Sequence, residues 1–75
     1  MTMFSTRLKE LRLSKGITQV ELAKSLGVTK QCVSNWENDN IQPSIDMLIR
    51  IAGYFSVSTD YLLGLSSSQP LVVAG

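Results

Sequence analysis

Lys30, Gln31, Ser34 and Asn35 stand in the stretch TKQCVSNWEN at the one-, three- and four-residue separations that bring side chains onto one face of a helix. An amide side chain presents a donor and an acceptor side by side, an ammonium donates, and a serine hydroxyl does either by rotating. Such a set suits fixed hydrogen-bonding edges. Gln or Asn can bond two edge atoms of an adenine at once, Lys can donate to a guanine, and Ser can serve either base. It does not suit bond breaking. The chain has no histidine, so a serine nucleophile would have only lysine as its base, and no two acids share a face beside an apolar pocket signal. With a single cysteine, Cys32, an intrachain disulfide is excluded, and no histidine accompanies it to make a metal site or a Cys/His pair. No catalytic residue, metal or cofactor is expected, and the chain reads as a binding protein rather than an enzyme.

The element carrying these residues is set off clearly. Thr18-Gln19-Val20-Glu21 is a capping box, with Ile17 before the cap and Leu22 after it placed as a hydrophobic staple. The helix it starts closes at Gly27, where the backbone can turn left-handed without a side-chain clash. A further helix begins almost at once, capped by Thr29, with Val28 and Val33 repeating the staple, and runs to about Asn38. Placing Lys30 at zero and turning roughly 100° per residue, Ser34, Asn38, Gln31 and Asn35 fall at about 40–140°, while Cys32, Trp36 and Val33 fall at about 200–300°. One face is hydrogen-bonding and the other apolar. Any surface helix can show such a wheel, but two short helices joined by a glycine turn form a helix-turn-helix, whose second helix enters the major groove of DNA. On that wheel Trp36 reads as core rather than as a base-stacking ring, and Cys32 as a small filler rather than a redox sensor.

The remaining chain supplies a support. A first helix is expected over about Ser5 to Ser14, with Leu8 and Leu11 on one face and Lys15-Gly16 as its stop. Pro43-Ser44 opens a fourth, whose Met47, Leu48, Ile51, Ala52 and Phe55 form a core face. Ser58 with Asp60 starts a short fifth carrying Tyr61, Leu62 and Leu65, with Gly64 near its end. The fold class is therefore all-α, with residues 1–65 as one domain. Residues 66–75, which open on Ser66-Ser67-Ser68-Gln69-Pro70, read as a flexible tail, and Leu71-Val72-Val73 within it as mobile rather than packed. With 44% hydrophobic and 17% charged residues the chain belongs to the globular class. No apolar run approaches the roughly 20 residues needed to span a bilayer, and a reducing cytoplasm is the expected location. Net charge is only +1, yet residues 1–36 carry +4 and residues 37–75 carry −3, so the first half is the side expected to meet phosphates.

From Gln19 to Trp36 the run QVELAKSLGVTKQCVSNW resembles the helix-turn-helix of the lambda-repressor-like, xenobiotic-response-element family. Ala23 stands at that family's small residue between the helices, Gly27 at its turn, and Val33 and Trp36 at its buried positions. The similarity reaches from about Phe4 to Leu65 and includes ENDNIQPS, LIRIAGYFSVS and TDYLLG. The resemblance implies a compact five-helix bundle and a bacterial or phage transcriptional regulator, chiefly a repressor. Its partner would be a two-fold symmetric double-stranded DNA operator, bound as a homodimer. By position, Lys30, Gln31, Ser34 and Asn35 would contact bases, and Gln19, Thr29, Asn38 and Asn40 phosphates. Arg12 and Glu37 would form a structural ion pair, and Tyr61, Leu62 and Leu65 are assigned to the dimer contact. Where relatives often carry a glycine and then basic residues after the third helix, this chain has Asp39, Asn40 and Ile41, which weakens the expected phosphate grip. The rival reading is an antitoxin-like interaction protein that holds a partner protein and regulates itself through DNA. Antitoxins often add a longer segment that wraps the toxin, whereas about ten residues follow Leu65 here.

Overall fold

Four residues with short oxygen-bearing side chains start four of the helices. Thr18, Thr29, Ser44 and Ser58 each sit in extended backbone and accept a hydrogen bond from the amide three residues on, satisfying a donor that the first turn leaves without a partner. The computed structural model describes residues 3–65. The tail beginning at Ser66, with Leu71 to Val73, lies outside the described residues. Five helices follow in order: α1 (Phe4–Lys15), α2 (Gln19–Leu26), α3 (Lys30–Glu37), α4 (Ile45–Phe55) and α5 (Thr59–Leu63). No strand is present among the described residues. α1 extends one residue further at each end than its sequence signals, and Pro43 precedes the Ser44 cap rather than entering the helix.

α2 packs on α3, α1 on both α3 and α5, and α4 on α5. Their shared core holds Phe4, Leu8 and Leu11 of α1, Leu22, Ala23 and Leu26 of α2, Val33 and Trp36 of α3, Ile51 and Ala52 of α4, Val57, and Leu62 of α5. Leu8, Leu22, Val33, Ile51 and Leu62 are fully buried, each stabilising the fold by about 1.5–3 kcal/mol relative to an exposed side chain. On α4, Ile51 and Ala52 are buried, while Met47, Leu48 and Phe55 are half-buried against the core.

The burial of Leu62 corrects its assignment to the dimer contact. A side chain with no exposed surface inside its own chain cannot meet a partner unless the core opens. Its neighbours differ. Leu65 lies beyond the end of α5 and is 75% exposed. Tyr61 is half-buried, with the Arg7 guanidinium 4.1 Å from its ring centre, and Arg7 Nη1 donates to the Tyr61 carbonyl at 2.9 Å. α1 and α5 are thereby joined by charge as well as by apolar packing.

Candidate nucleic-acid interface

The α2–turn–α3 unit is fixed at both ends. At its start the capping box is complete: Glu21 N–H donates to Thr18 Oγ1 at 3.0 Å, and Thr18 N–H donates to Glu21 Oε1 at 2.8 Å. In the middle, Gly27 takes φ 73°, in the left-handed region that a residue without Cβ enters at no steric cost. The chain then reverses, and Val28 N–H donates to the Ala23 carbonyl at 2.9 Å. At the far end, Glu37 closes α3 and receives a forked grip from α1. Arg12 Nε lies 2.7 Å from Oε2 and Nη2 lies 3.1 Å from Oε1, with the two side chains only 10% and 2% exposed. Arg12 Nη1 also donates to the Ile17 carbonyl at 3.0 Å, ahead of α2. One guanidinium thus holds the entry to α2 and the exit from α3 together. Planar paired bonds of this kind fix angle as well as distance.

Gln19 joins the same cluster, which its sequence position did not reveal. It occupies the first turn of α2, and its Nε2 donates to Glu37 Oε1 at 3.1 Å. One N–H of that amide remains for an external acceptor. Glu37 therefore receives Arg12 and Gln19 from two different helices, and among the described residues no buried side-chain nitrogen or oxygen lacks a partner. Arg12 and Glu37 stand 25 residues apart and Gln19 and Glu37 stand 18 apart, separations at which no helical periodicity operates.

α3 is anchored by Val33 and Trp36, both buried, while Cys32 is half-buried at the edge of the core. Thr29 Oγ1 accepts from Cys32 N–H at 3.1 Å, which leaves the Thr29 hydroxyl proton free to donate outward. The opposite side carries the sequence-assigned contacts. Lys30, Gln31 and Asn38 are exposed, and Ser34 and Asn35 half-exposed. Gln31 Nε2 donates to Asn35 Oδ1 at 3.1 Å, and Asn38 Nδ2 donates to Ser34 Oγ at 3.3 Å. Gln31, Ser34, Asn35 and Asn38 thus pair along the helix in two rungs, each four residues long. In this arrangement Gln31 retains its carbonyl oxygen and one N–H, and Asn35 retains both N–H groups, so the outward surface still offers donors and an acceptor. Just past α3, Asp39 takes φ 61°, a left-handed conformation that glycine enters more easily. The Asn40 amide then donates back to the Asn35 carbonyl at 2.9 Å. Asp39 and Asn40 are both exposed at this end of the helix.

Two capped helices joined by a left-handed glycine turn, with one face of the second buried and the other hydrogen-bonding, define a helix-turn-helix domain. A helix-turn-helix family profile matches residues 8–62, and the chain belongs to that family, in its lambda-repressor-like branch. It is 45% identical over 58 residues to the HTH-type transcriptional regulator ImmR of Bacillus subtilis, covering 77% of this chain and 46% of ImmR. Among solved structures, a transcriptional regulator from Listeria innocua superposes with a TM-score of 0.81 at 31% identity, over 85% of this chain and 60% of that one. The P22 c2 repressor protein, solved in complex with a synthetic operator, superposes with a TM-score of 0.78 at 28% identity, over 84% of this chain and 96% of that one. The chain spans about half the length of the curated relatives it matches. Among the described residues no helix is long and apolar enough to cross a membrane, and no group of His, Cys, Asp and Glu is placed to hold a metal ion.

Proposed function

We propose that this chain is a sequence-specific DNA-binding transcriptional regulator that places α3 in the major groove of its operator. The observation carrying this reading is the division of α3. Val33 and Trp36 hold the helix in the core, while Lys30, Gln31, Ser34 and Asn35 are presented outward, with Gln31 paired to Asn35 and Ser34 to Asn38. Side chains already paired along the helix have less freedom to lose when they meet a base edge. Gln31, with its carbonyl oxygen and one N–H still available, is suited to the N6 and N7 edge of an adenine. Lys30 would reach a guanine edge or a phosphate. Gln19, steadied by Glu37, would give its second N–H to a phosphate at the start of α2, where helix-terminal amides also favour an anion. Thr29, Asn38 and Asn40 would add backbone contacts around α3.

In this proposal the protein binds as a homodimer on a two-fold operator and represses by occupying it, in the cytoplasm of a bacterial cell. The superposition on the P22 c2 repressor, whose structure holds an operator, supports operator binding and repression. Selection of bound sites from a random DNA pool is the direct test. A palindrome with half-sites about 34–36 Å apart is the expected result. Recovery of no preferred sequence would overturn the proposal.

A further inference from the structure

We infer that the outer face of α4 is the surface on which a second copy of this chain docks, the two α4 helices lying antiparallel about a two-fold axis level with Ile49. α4 buries Ile51 and Ala52 in the core but leaves Ile45 76% and Ile49 56% exposed. Scattered exposed apolar residues are ordinary on a protein surface. These two are not scattered, because they stand one turn apart and Gly53 continues the same row at the next turn. Gly53 is exposed, and a Cβ built on it would meet nothing within 4 Å. The row is therefore two bulky knobs followed by a gap, flanked on one side by Asp46 and Arg50.

An antiparallel arrangement centred on Ile49 makes all these features complementary at once. At about 1.5 Å per residue, Ile45 and Gly53 lie about 6 Å to either side of the axis, so each Ile45 meets the gap at Gly53 of the other copy. Ile49 meets Ile49. Asp46 of one copy comes within about 3 Å, measured along the helix, of Arg50 of the other, on the same flank, and the symmetry makes this pair twice. Both charges are exposed, and neither enters the ion pair found among the described residues, Arg12 with Glu37. A parallel in-register pair would place Asp46 and Arg50 of the two copies on opposite flanks, where they do not meet, and would set gap against gap, so charge and shape both select the antiparallel form.

Three helical turns bury well below the ~1,600 Å² of a standard stable interface. The pair is accordingly weak when free and forms where a two-fold site concentrates two copies. This assigns the surface for the homodimer of the proposed function, and rests on that reading only for the DNA arm of its test. The test compares the parent chain with Arg50→Asp, with the double variant Asp46→Arg plus Arg50→Asp, and with Gly53→Leu. Sedimentation equilibrium at high protein concentration measures pairing without DNA, and titrations on a whole operator and on an isolated half-site measure cooperativity. Arg50→Asp and Gly53→Leu should each weaken pairing, and binding to the whole operator, by about tenfold or more, with half-site affinity and helix content unchanged. The double variant should restore both. Pairing as strong in Arg50→Asp and Gly53→Leu as in the parent, or a parent monomeric at every concentration and non-cooperative on the operator, would overturn the inference. A chain that prefers no DNA sequence would overturn the functional proposal instead, and sedimentation would then decide the α4 surface alone.

Discussion

α3 and α4 bury one side each in the same core and leave the other uncovered, but what they leave uncovered differs in kind. The outer side of α3 is made of amides, a hydroxyl and an ammonium, groups that water already satisfies and that improve only against a partner with matching donors and acceptors. The outer side of α4 is two isoleucines and a gap, which gain from any dry surface that fits. A polar surface discriminates through the cost of an unmatched hydrogen bond. An apolar one discriminates through shape and through the charges at its rim. Selectivity in this small domain therefore has two sources, and they can be removed separately.

Removing the core beneath both faces should have the largest effect. Trp36→Ala should cost about 3–5 kcal/mol of stability, read as a fall in urea midpoint, and both faces should fail together. Full stability with only DNA binding lost would show instead that Trp36 belongs to the outer side of α3. Arg12→Met should come next. It leaves the Glu37 carboxylate buried with Gln19 as its remaining side-chain donor, at a cost of about 3–5 kcal/mol. A change below 1 kcal/mol, the ~0–1 kcal/mol scale of surface pairs, would refute the role given to the pair.

Gln31→Ala tests one face in isolation. Operator affinity should fall by about 1–3 kcal/mol with preference relaxed at one base pair per half-site, while thermal stability moves by no more than about 0.5 kcal/mol. Equal losses on operator and scrambled DNA would remove α3 from the groove. The smallest effect should come from Gly53→Ala, which improves helix propensity by up to about 1 kcal/mol and has open space for its methyl group. Thermal stability should rise slightly, whereas pairing through α4 should weaken. A rise in both would argue that the gap at Gly53 plays no part in association.

The features legible in the sequence are those whose cause is local. The Thr18 capping box, the Thr29, Ser44 and Ser58 caps and the Gly27 turn each depend on residues no more than four apart, and all form as their residue types require. The two sides of α3 follow from helical period alone. What escaped depends on where separate helices cross. Val57 is buried in the short link between α4 and α5, where a single apolar residue has no periodic neighbours. Leu62 and Leu65 are assigned together to the dimer contact, but α5 ends at Leu63 and Gly64 turns left-handed at φ 81°, so one is core and the other exposed. The link between Gln19 and Glu37 crosses helices. The pairing of Arg12 with Glu37 follows from the family resemblance and not from any local pattern. The outer face of α4 leaves no mark in a periodicity that reports only what a helix buries.

The separation of anchors from outward-facing residues along α3 also bears on how such a protein changes over generations. Val33 and Trp36 hold the helix, and Lys30 and Gln31 lie outside the core, so a duplicated copy can acquire a new preferred site through intermediates that all fold. The hydrogen bond between Gln31 and Asn35 imposes an order on that drift. Replacing Gln31 first releases Asn35 to swing and blurs recognition before a new preference is established. Neighbouring lineages with different operators should therefore differ at positions 31 and 35 jointly more often than at either alone.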